Sequence, residues 1–148
     1  HLLSLGFADP KRIGIRGWSY GGYMTIRALL LAPDVFACGV AGAAVTDWHN
    51  YDTIYTERYM GLPSENPEGY KRSSAVLAAD KLKGKLLMAH NLEDDNVLFQ
   101  NAVQMVDALQ RAGKQFELMI YPNKSHGLVR GRSHFDELTV SFFERCLK

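Results

Sequence analysis

The stretch Gly17-Trp18-Ser19-Tyr20-Gly21-Gly22 decides the fold, because a strand pattern precedes it and a helix pattern follows it. Arg12–Arg16 is a short β-branched segment bounded by a proline and a glycine, which predicts a buried strand. Tyr20–Ala32 carries apolar residues at helical spacing and stops before a proline. A serine on such a sharp turn is presented as a nucleophile, with its backbone under strain.

The glycines and the helix of this turn have separate expected uses. We expect Gly17 and Gly21 to relieve crowding around Ser19, and Gly22 to let the helix pack close to the sheet. The N-terminus of the helix directs backbone N–H groups towards a developing oxyanion, and the N–H of Tyr20 would be one donor. The alternative is a chance glycine-rich turn, since Gly-x-Ser-x-Gly alone is a weak motif.

The rest of the chain continues to alternate between strand and helix patterns. Short apolar segments predict three further strands, at Phe36–Ala44, Lys85–His90 and Phe116–Tyr121. Helical patterns cover Gly69–Ala79, Asn96–Ala112 and Ser133–Leu147, whereas Trp48–Pro63 mixes loop with short helix. This alternation predicts one α/β domain with a mostly parallel sheet of about four strands flanked by helices.

Composition excludes several classes of function. The 17 basic and 16 acidic residues nearly balance, so no basic surface for nucleic acid is expected. No apolar run reaches the roughly 20 residues of a membrane span, and residues 1–10 do not resemble a signal peptide. The chain starts at His1 within a helix-like pattern, from which we expect a fragment of a longer protein. Cys38 and Cys146 lack metal-ligand spacing, and composition alone favours two buried thiols.

A nucleophilic serine needs a base, and the base needs an acid that orients it. In α/β-hydrolases the acid and then the histidine follow the serine, on loops after later strands. Here the loop after the third strand carries Glu93, Asp94 and Asp95, and the loop after the fourth carries His126. His134 is the second candidate base. Of the other histidines, His1 is terminal, His49 is expected in a structural place or at the rim of a pocket, and His90 is expected to shape the acidic loop. A metal site built from the acidic loop and its histidines lacks a recognised spacing.

Four motifs together resemble the prolyl oligopeptidase family of serine peptidases, and within it the dipeptidyl peptidase branch. They are Gly17-Trp-Ser-Tyr-Gly-Gly22, Tyr51-Asp52-x-x-Tyr55-Thr-Glu-Arg-Tyr-Met-Gly-Leu-Pro63, Asp94-Asp-Asn-Val97-x-Phe-Gln100 and Ser125-His126-Gly127. The resemblance implies Ser19 as nucleophile, Asp94 as acid and His126 as base. It also implies a proline-binding pocket and a group that holds a substrate carbonyl: Val45, Trp48, Tyr51, Tyr55 and Val97 for the pocket, and Asn96 for the carbonyl.

The resemblance further implies an activity and a setting for the whole protein. The activity would be release of N-terminal X-Pro or X-Ala dipeptides, without a cofactor, by a parent protein that could be a homodimer. Cys38 and Cys146 match the positions of a family disulfide, which suits a periplasmic, secreted or cell-surface protein. The chain would then be the C-terminal half of an α/β-hydrolase fold. The first half of that domain, a β-propeller, a second oxyanion donor and the glutamates that bind the substrate amino terminus would all lie upstream.

One position departs from the family pattern, and two other functions stay open. Asn91 stands where the family usually has glycine, which leaves the shape of the acidic loop open. One alternative is another hydrolase on the same scaffold, such as an acylaminoacyl peptidase or an esterase. The other is a binding protein without activity, although Ser19, Asp94 and His126 are all present.

Overall fold

A computed structural model describes residues 2–127 and 132–148 of the chain. Within them, four parallel strands form one sheet in chain order: β1 (Gly14–Trp18), β2 (Cys38–Gly42), β3 (Lys85–Asn91) and β4 (Glu117–Tyr121). The α-helices are α1 (Tyr20–Leu31), α2 (Thr53–Met60), α3 (Pro67–Ser73), α4 (Gln100–Arg111) and α5 (Arg132–Cys146). Short 3-10 helices lie at Leu2–Leu5, Trp48–Asn50 and Val76–Lys81. The predicted α/β class and strand number are confirmed.

Helices cover both faces of the sheet, so the central strands are apolar on both sides. On β3, Leu86 and Met88 pack in one core with residues of α1 and α4. The alternate residues Leu87 and Ala89 pack in a second core, against α5 on the opposite face. This two-sided burial explains why β2 and β3 are apolar along almost their whole length.

Parallel strands bring their C-terminal ends to a single edge of the sheet. The loop after β1 contains Ser19, the loop after β3 contains Asp94, and the loop after β4 contains His126. Residues far apart in the chain therefore meet at this edge.

The first strand begins two residues later than predicted, at Gly14. The reason is a turn upstream, in which the carboxylate of Asp9 accepts hydrogen bonds from the Arg12 side chain and the Lys11 backbone. The strand also continues through Trp18, which pairs with Gly42 of β2.

Two predicted helices are shorter or divided. The helix predicted over Asn96–Ala112 begins at Gln100, because the backbone N–H groups of Asn96 and Val97 bind the Asp94 carboxylate instead. The single helix predicted over Gly69–Ala79 is two elements, Pro67–Ser73 and Val76–Lys81. It is interrupted where the Ala75 N–H donates to the Thr46 carbonyl.

A disulfide joins β2 to the end of α5. It links Cys38, the first residue of the strand, to Cys146, the last residue of the helix. In the described part of the chain no helix is long and apolar enough to span a bilayer.

Candidate active site

Ser19 sits on a strained turn between β1 and α1. Its φ of 60° and ψ of −120° lie outside the usual regions for a residue with a side chain. The turn is held at both ends, since the Ser19 N–H donates to the Gly42 carbonyl at 2.9 Å and the Ser19 carbonyl accepts from Tyr23 N–H at 3.0 Å. The N–H of Tyr20, the first residue of the helix, has no carbonyl within the helix to bind.

Close backbone contacts explain two of the three glycines around this turn. A Cβ at position 17 would lie 2.2 Å from the Gly21 carbonyl oxygen, and one at position 22 would lie 2.4 Å from the Gly42 oxygen. The expectation for Gly21 itself was wrong in its physical reason, because a Cβ there would meet nothing within 4 Å. The backbone of Gly21 lies close to Gly17, and this contact excludes a side chain at position 17 but not at position 21.

Ser19, His126 and Asp94 form a continuous chain of hydrogen bonds. Ser19 Oγ lies 2.9 Å from His126 Nε2, and His126 Nδ1 lies 2.9 Å from Asp94 Oδ2. A carboxylate can only accept, so Nδ1 carries a proton and Nε2 is left to accept the Ser19 hydroxyl. The histidine is thereby held in the tautomer that can remove a proton from serine.

The two neighbouring acidic residues have different surroundings from Asp94. Asp94 is buried, and its Oδ1 accepts from the N–H groups of Asn96 at 3.1 Å and Val97 at 2.9 Å. Glu93 and Asp95 point to the exposed side of the loop. The loop therefore places the carboxylate of Asp94, and not that of Glu93 or Asp95, against His126.

The other described histidines are bound elsewhere. His49 Nδ1 contacts Asp47, and His134 Nδ1 lies 2.9 Å from the Tyr121 hydroxyl. His90 Nε2 donates to the Val97 carbonyl at 2.8 Å and lies 3.6 Å from Asp94 Oδ2. In residues 2–127 and 132–148 no three His, Cys, Asp or Glu side chains are arranged to hold a metal ion.

Burial lowers the pKa of His90 below its ordinary value of 6.5, despite the hydrogen bond to Val97 and the charge of nearby Asp94. As the pH falls below about 6.5, the unfolded chain gains a proton at His90 that the folded chain does not bind. We therefore expect the contribution of neutral His90 to the free energy of unfolding to be fully present above pH 6.5. It should be lost as the pH falls towards the lower pKa of the folded state, by at most about 1.4 kcal/mol per pH unit.

Urea unfolding at pH 7.5 and pH 5.5 tests this prediction in the wild type and in His90→Gln. Glutamine keeps a donor for the Val97 carbonyl and does not titrate, so the variant should lose less stability on acidification. An equal loss in His90→Gln and wild type would contradict the assignment.

A small aromatic cavity opens beside Ser19. It has a volume of about 130 Å³, far below the size of drug-binding pockets, and suits one small ring or side chain. Its walls include Ser19, Tyr20 and four of the residues that the resemblance implies for the proline-binding pocket: Val45, Trp48, Tyr51 and Tyr55. Val97 is fully buried behind Val45 and Trp48 in the same apolar cluster.

Asn96 is exposed at the rim of this cavity with a fixed amide. Its Oδ1 accepts a 2.7 Å hydrogen bond from the Tyr51 hydroxyl. Burial, followed by the charge of Asp52, raises the pKa of Tyr51, so the hydroxyl keeps its proton. With Oδ1 occupied, the Nδ2 group of Asn96 is left as a donor for a ligand carbonyl.

Sequence reasoning assigned Tyr20 a backbone role and missed its side chain. The ring lines the cavity and is 6.1 Å from the Trp48 ring between centroids. An aromatic residue directly after the serine was the available signal, because the first residue of a helix projects beside its N-cap.

The sheet, the strained serine turn and the loops that follow define this chain as part of an α/β-hydrolase fold. A family model described as the prolyl oligopeptidase family matches residues 1–148. The chain belongs to the prolyl oligopeptidase family of serine peptidases.

Relatives and solved structures agree with this membership. The chain is 46% identical over 133 residues to dipeptidyl peptidase 4 of Felis catus, covering 88% of this chain and 17% of the relative. It is 41% identical over 150 residues to prolyl endopeptidase FAP of Mus musculus, covering 98% and 20%. The crystal structure of Porphyromonas gingivalis dipeptidyl peptidase 4 matches with a TM-score of 0.95 and 42% identity, over 99% of this chain and 21% of that one. The chain thus spans about a fifth of the length of these proteins.

Proposed function

We propose that this chain carries the catalytic serine, acid and histidine of a dipeptidyl peptidase that releases X-Pro or X-Ala from peptide amino termini. The observation that carries the proposal is the hydrogen-bonded series from Ser19 through His126 to buried Asp94, beside a small aromatic cavity. Membership in the family supports the same reaction class.

Each group has one task in the proposed reaction. His126 Nε2 takes the proton of Ser19 as Oγ attacks the peptide carbonyl, and Asp94 stabilises the resulting imidazolium. The Tyr20 N–H donates to the oxyanion. His126 then gives the proton to the departing amine, leaving an acyl-enzyme. A water molecule, deprotonated by His126, hydrolyses the ester and releases the dipeptide, so no cofactor is consumed.

The cavity accounts for the proposed preference at the penultimate residue. A pyrrolidine ring is flat and apolar, and Trp48, Tyr51 and Tyr55 offer aromatic faces while Val45 closes the floor. Alanine would fit the same space with fewer contacts. Asn96 Nδ2 would hold the carbonyl of the preceding residue.

Labelling with a fluorophosphonate probe tests the nucleophile in the protein that carries this chain. We expect one adduct on Ser19, and none in Ser19→Ala. Ser73→Ala, at a serine whose hydroxyl binds a backbone carbonyl in α3, should label as the wild type does. An unlabelled wild-type protein would exclude both peptidase and esterase chemistry at Ser19 and leave a binding role.

Tyr51→Phe tests the link between the cavity and Asn96. Loss of the hydroxyl frees the Asn96 amide to rotate, and we expect kcat/KM for a Gly-Pro anilide to fall about tenfold, the equivalent of one hydrogen bond. Tyr59→Phe removes the hydroxyl of a largely exposed tyrosine outside the cavity wall and should have little effect. Equal activity of Tyr51→Phe and wild type would contradict a role for the Tyr51–Asn96 pair.

The same experiment separates the alternatives on this scaffold. An esterase or acylaminoacyl peptidase would tolerate changes at Tyr51 and Tyr55 that a proline-specific enzyme would not. Because the chain is also similar to a prolyl endopeptidase, a second test compares substrates with a free and with a blocked amino terminus. A dipeptidyl peptidase should cleave free Gly-Pro anilide and reject its N-acetylated form.

We also propose that the activity belongs to a longer protein, because relatives are about five times the length of this chain. Without a second oxyanion donor, the isolated chain should turn over about 100- to 1,000-fold more slowly. The Cys38–Cys146 disulfide supports a periplasmic, secreted or cell-surface location for that protein. Its pairing as a homodimer rests on the family resemblance.

A further inference from the structure

The loop that carries His126 is held at two successive backbone carbonyls. The indole Nε1–H of Trp18 donates to the His126 carbonyl at 2.9 Å. The side-chain Nδ2 of Asn91 donates to the carbonyl of Ser125, the residue before it. The donors are the last residues of β1 and β3, and each directly precedes one of the two other loops of the site.

Both donors are themselves rigidly placed. The Trp18 ring lies directly over Gly42 of β2, where any Cβ would fall 1.9 Å from the ring, and packs edge-on against Phe135. Asn91 is the last residue of β3, fully buried, and pairs with Tyr121 of β4. The His126 peptide is therefore attached to the sheet and not only to Asp94.

The amide of Asn91 can take one orientation. Rotating it by half a turn would face Oδ1 against the Ser125 carbonyl oxygen, and two acceptors repel each other. In the observed orientation Oδ1 is buried and has no partner among the described residues. A buried acceptor without a partner is unfavourable, so stability alone does not favour asparagine here.

We propose that Asn91 and Trp18 are positioning residues that fix the His126 ring between Ser19 and Asp94. The inference rests on the proposed function, because it assigns His126 the role of base. Proton transfer weakens when Nε2 is displaced from Ser19 Oγ by a fraction of an ångström. The hydrogen bond from Nδ1 to Asp94 alone would leave the ring free to turn about Nδ1 and so to displace Nε2.

Asn91→Leu, Asn91→Gly and Trp18→Phe test the proposal in the protein that carries this chain. Leucine has nearly the shape of asparagine and removes both the donor and the unpaired acceptor, while glycine removes the whole side chain. Phenylalanine keeps a ring against Phe135 and lacks the N–H. Thr139→Val, which removes a buried hydroxyl bonded within α5, is the matched control.

We expect each of the three variants to lower kcat about tenfold with KM changed less than twofold, because ring placement affects chemistry and not substrate binding. The downfield ring-proton NMR resonance of His126 should broaden in them and stay sharp in Thr139→Val. A melting temperature that falls while kcat stays within twofold of wild type would overturn the proposal. So would a kcat loss in Trp18→Phe alone, with none in either Asn91 variant.

The NMR signal also separates this proposal from the proposed function. If the wild-type protein neither labels nor cleaves the anilide, the peptidase assignment fails. The positioning of His126 is then decided by the ring-proton resonance alone: broadening in the three variants supports it, and an unchanged resonance overturns it.

Discussion

Asp94→Asn should lower kcat about 10⁴-fold while leaving the fold intact. Two backbone donors, the N–H groups of Asn96 and Val97, point at Oδ1 and will keep an oxygen there. The amide nitrogen of the variant must then occupy the Oδ2 position, 2.9 Å from His126 Nδ1. As a donor, it forces His126 into the tautomer protonated on Nε2, which cannot accept the Ser19 proton.

Asp95→Asn is the control for this prediction. Asp95 stands next in the chain and is exposed, so the variant makes the same chemical change without touching His126, and kcat should stay within twofold. Fluorophosphonate labelling should slow in Asp94→Asn and proceed normally in Asp95→Asn. If the two variants had equal activity, Asp94 would not be the orienting acid.

The sequence predicted the alternation of strands and helices because each element is long enough to show its period. The first and last residues of these elements were harder to predict, because hydrogen bonds to distant parts of the chain decide them. Thr46 divides a predicted helix by accepting from Ala75, and Asp94 delays the start of α4 by binding two N–H groups that a helix would otherwise use. Neither contact is visible as a local pattern.

The candidate site likewise contains residues that the sequence could predict and contacts that it could not. Ser19, Asp94 and His126 were found by motif, by chain order and by resemblance, and the structure brings these side chains together at the ends of the strands. Asn91 was noted as a departure from the family pattern, but its contact with Ser125 spans 34 residues and depends on the pairing of β3 with β4. Spacing in the sequence carries no information about that register.

Breaking the disulfide should cost much stability and little activity. Cys38 and Cys146 close a loop of 108 residues, for which the loss of chain entropy in the unfolded state corresponds to about 4–5 kcal/mol. Cys146→Ala isolates this effect, because it leaves the fully buried Cys38 in place. We expect the melting temperature to fall by about 15 °C, the shift that this free energy gives in a domain of this size.

Activity should survive because the disulfide and the site lie at opposite ends of the sheet. Cys38 begins β2, beside Gly14 and Lys85, whereas Ser19 follows the other end of β1. Below the melting transition, kcat in Cys146→Ala should therefore stay within twofold of wild type. A reductant should lower the melting temperature of wild type to that of the variant and leave the variant unchanged. A variant that melts as wild type but has lost activity would show that α5 supports the site and not the stability of the fold.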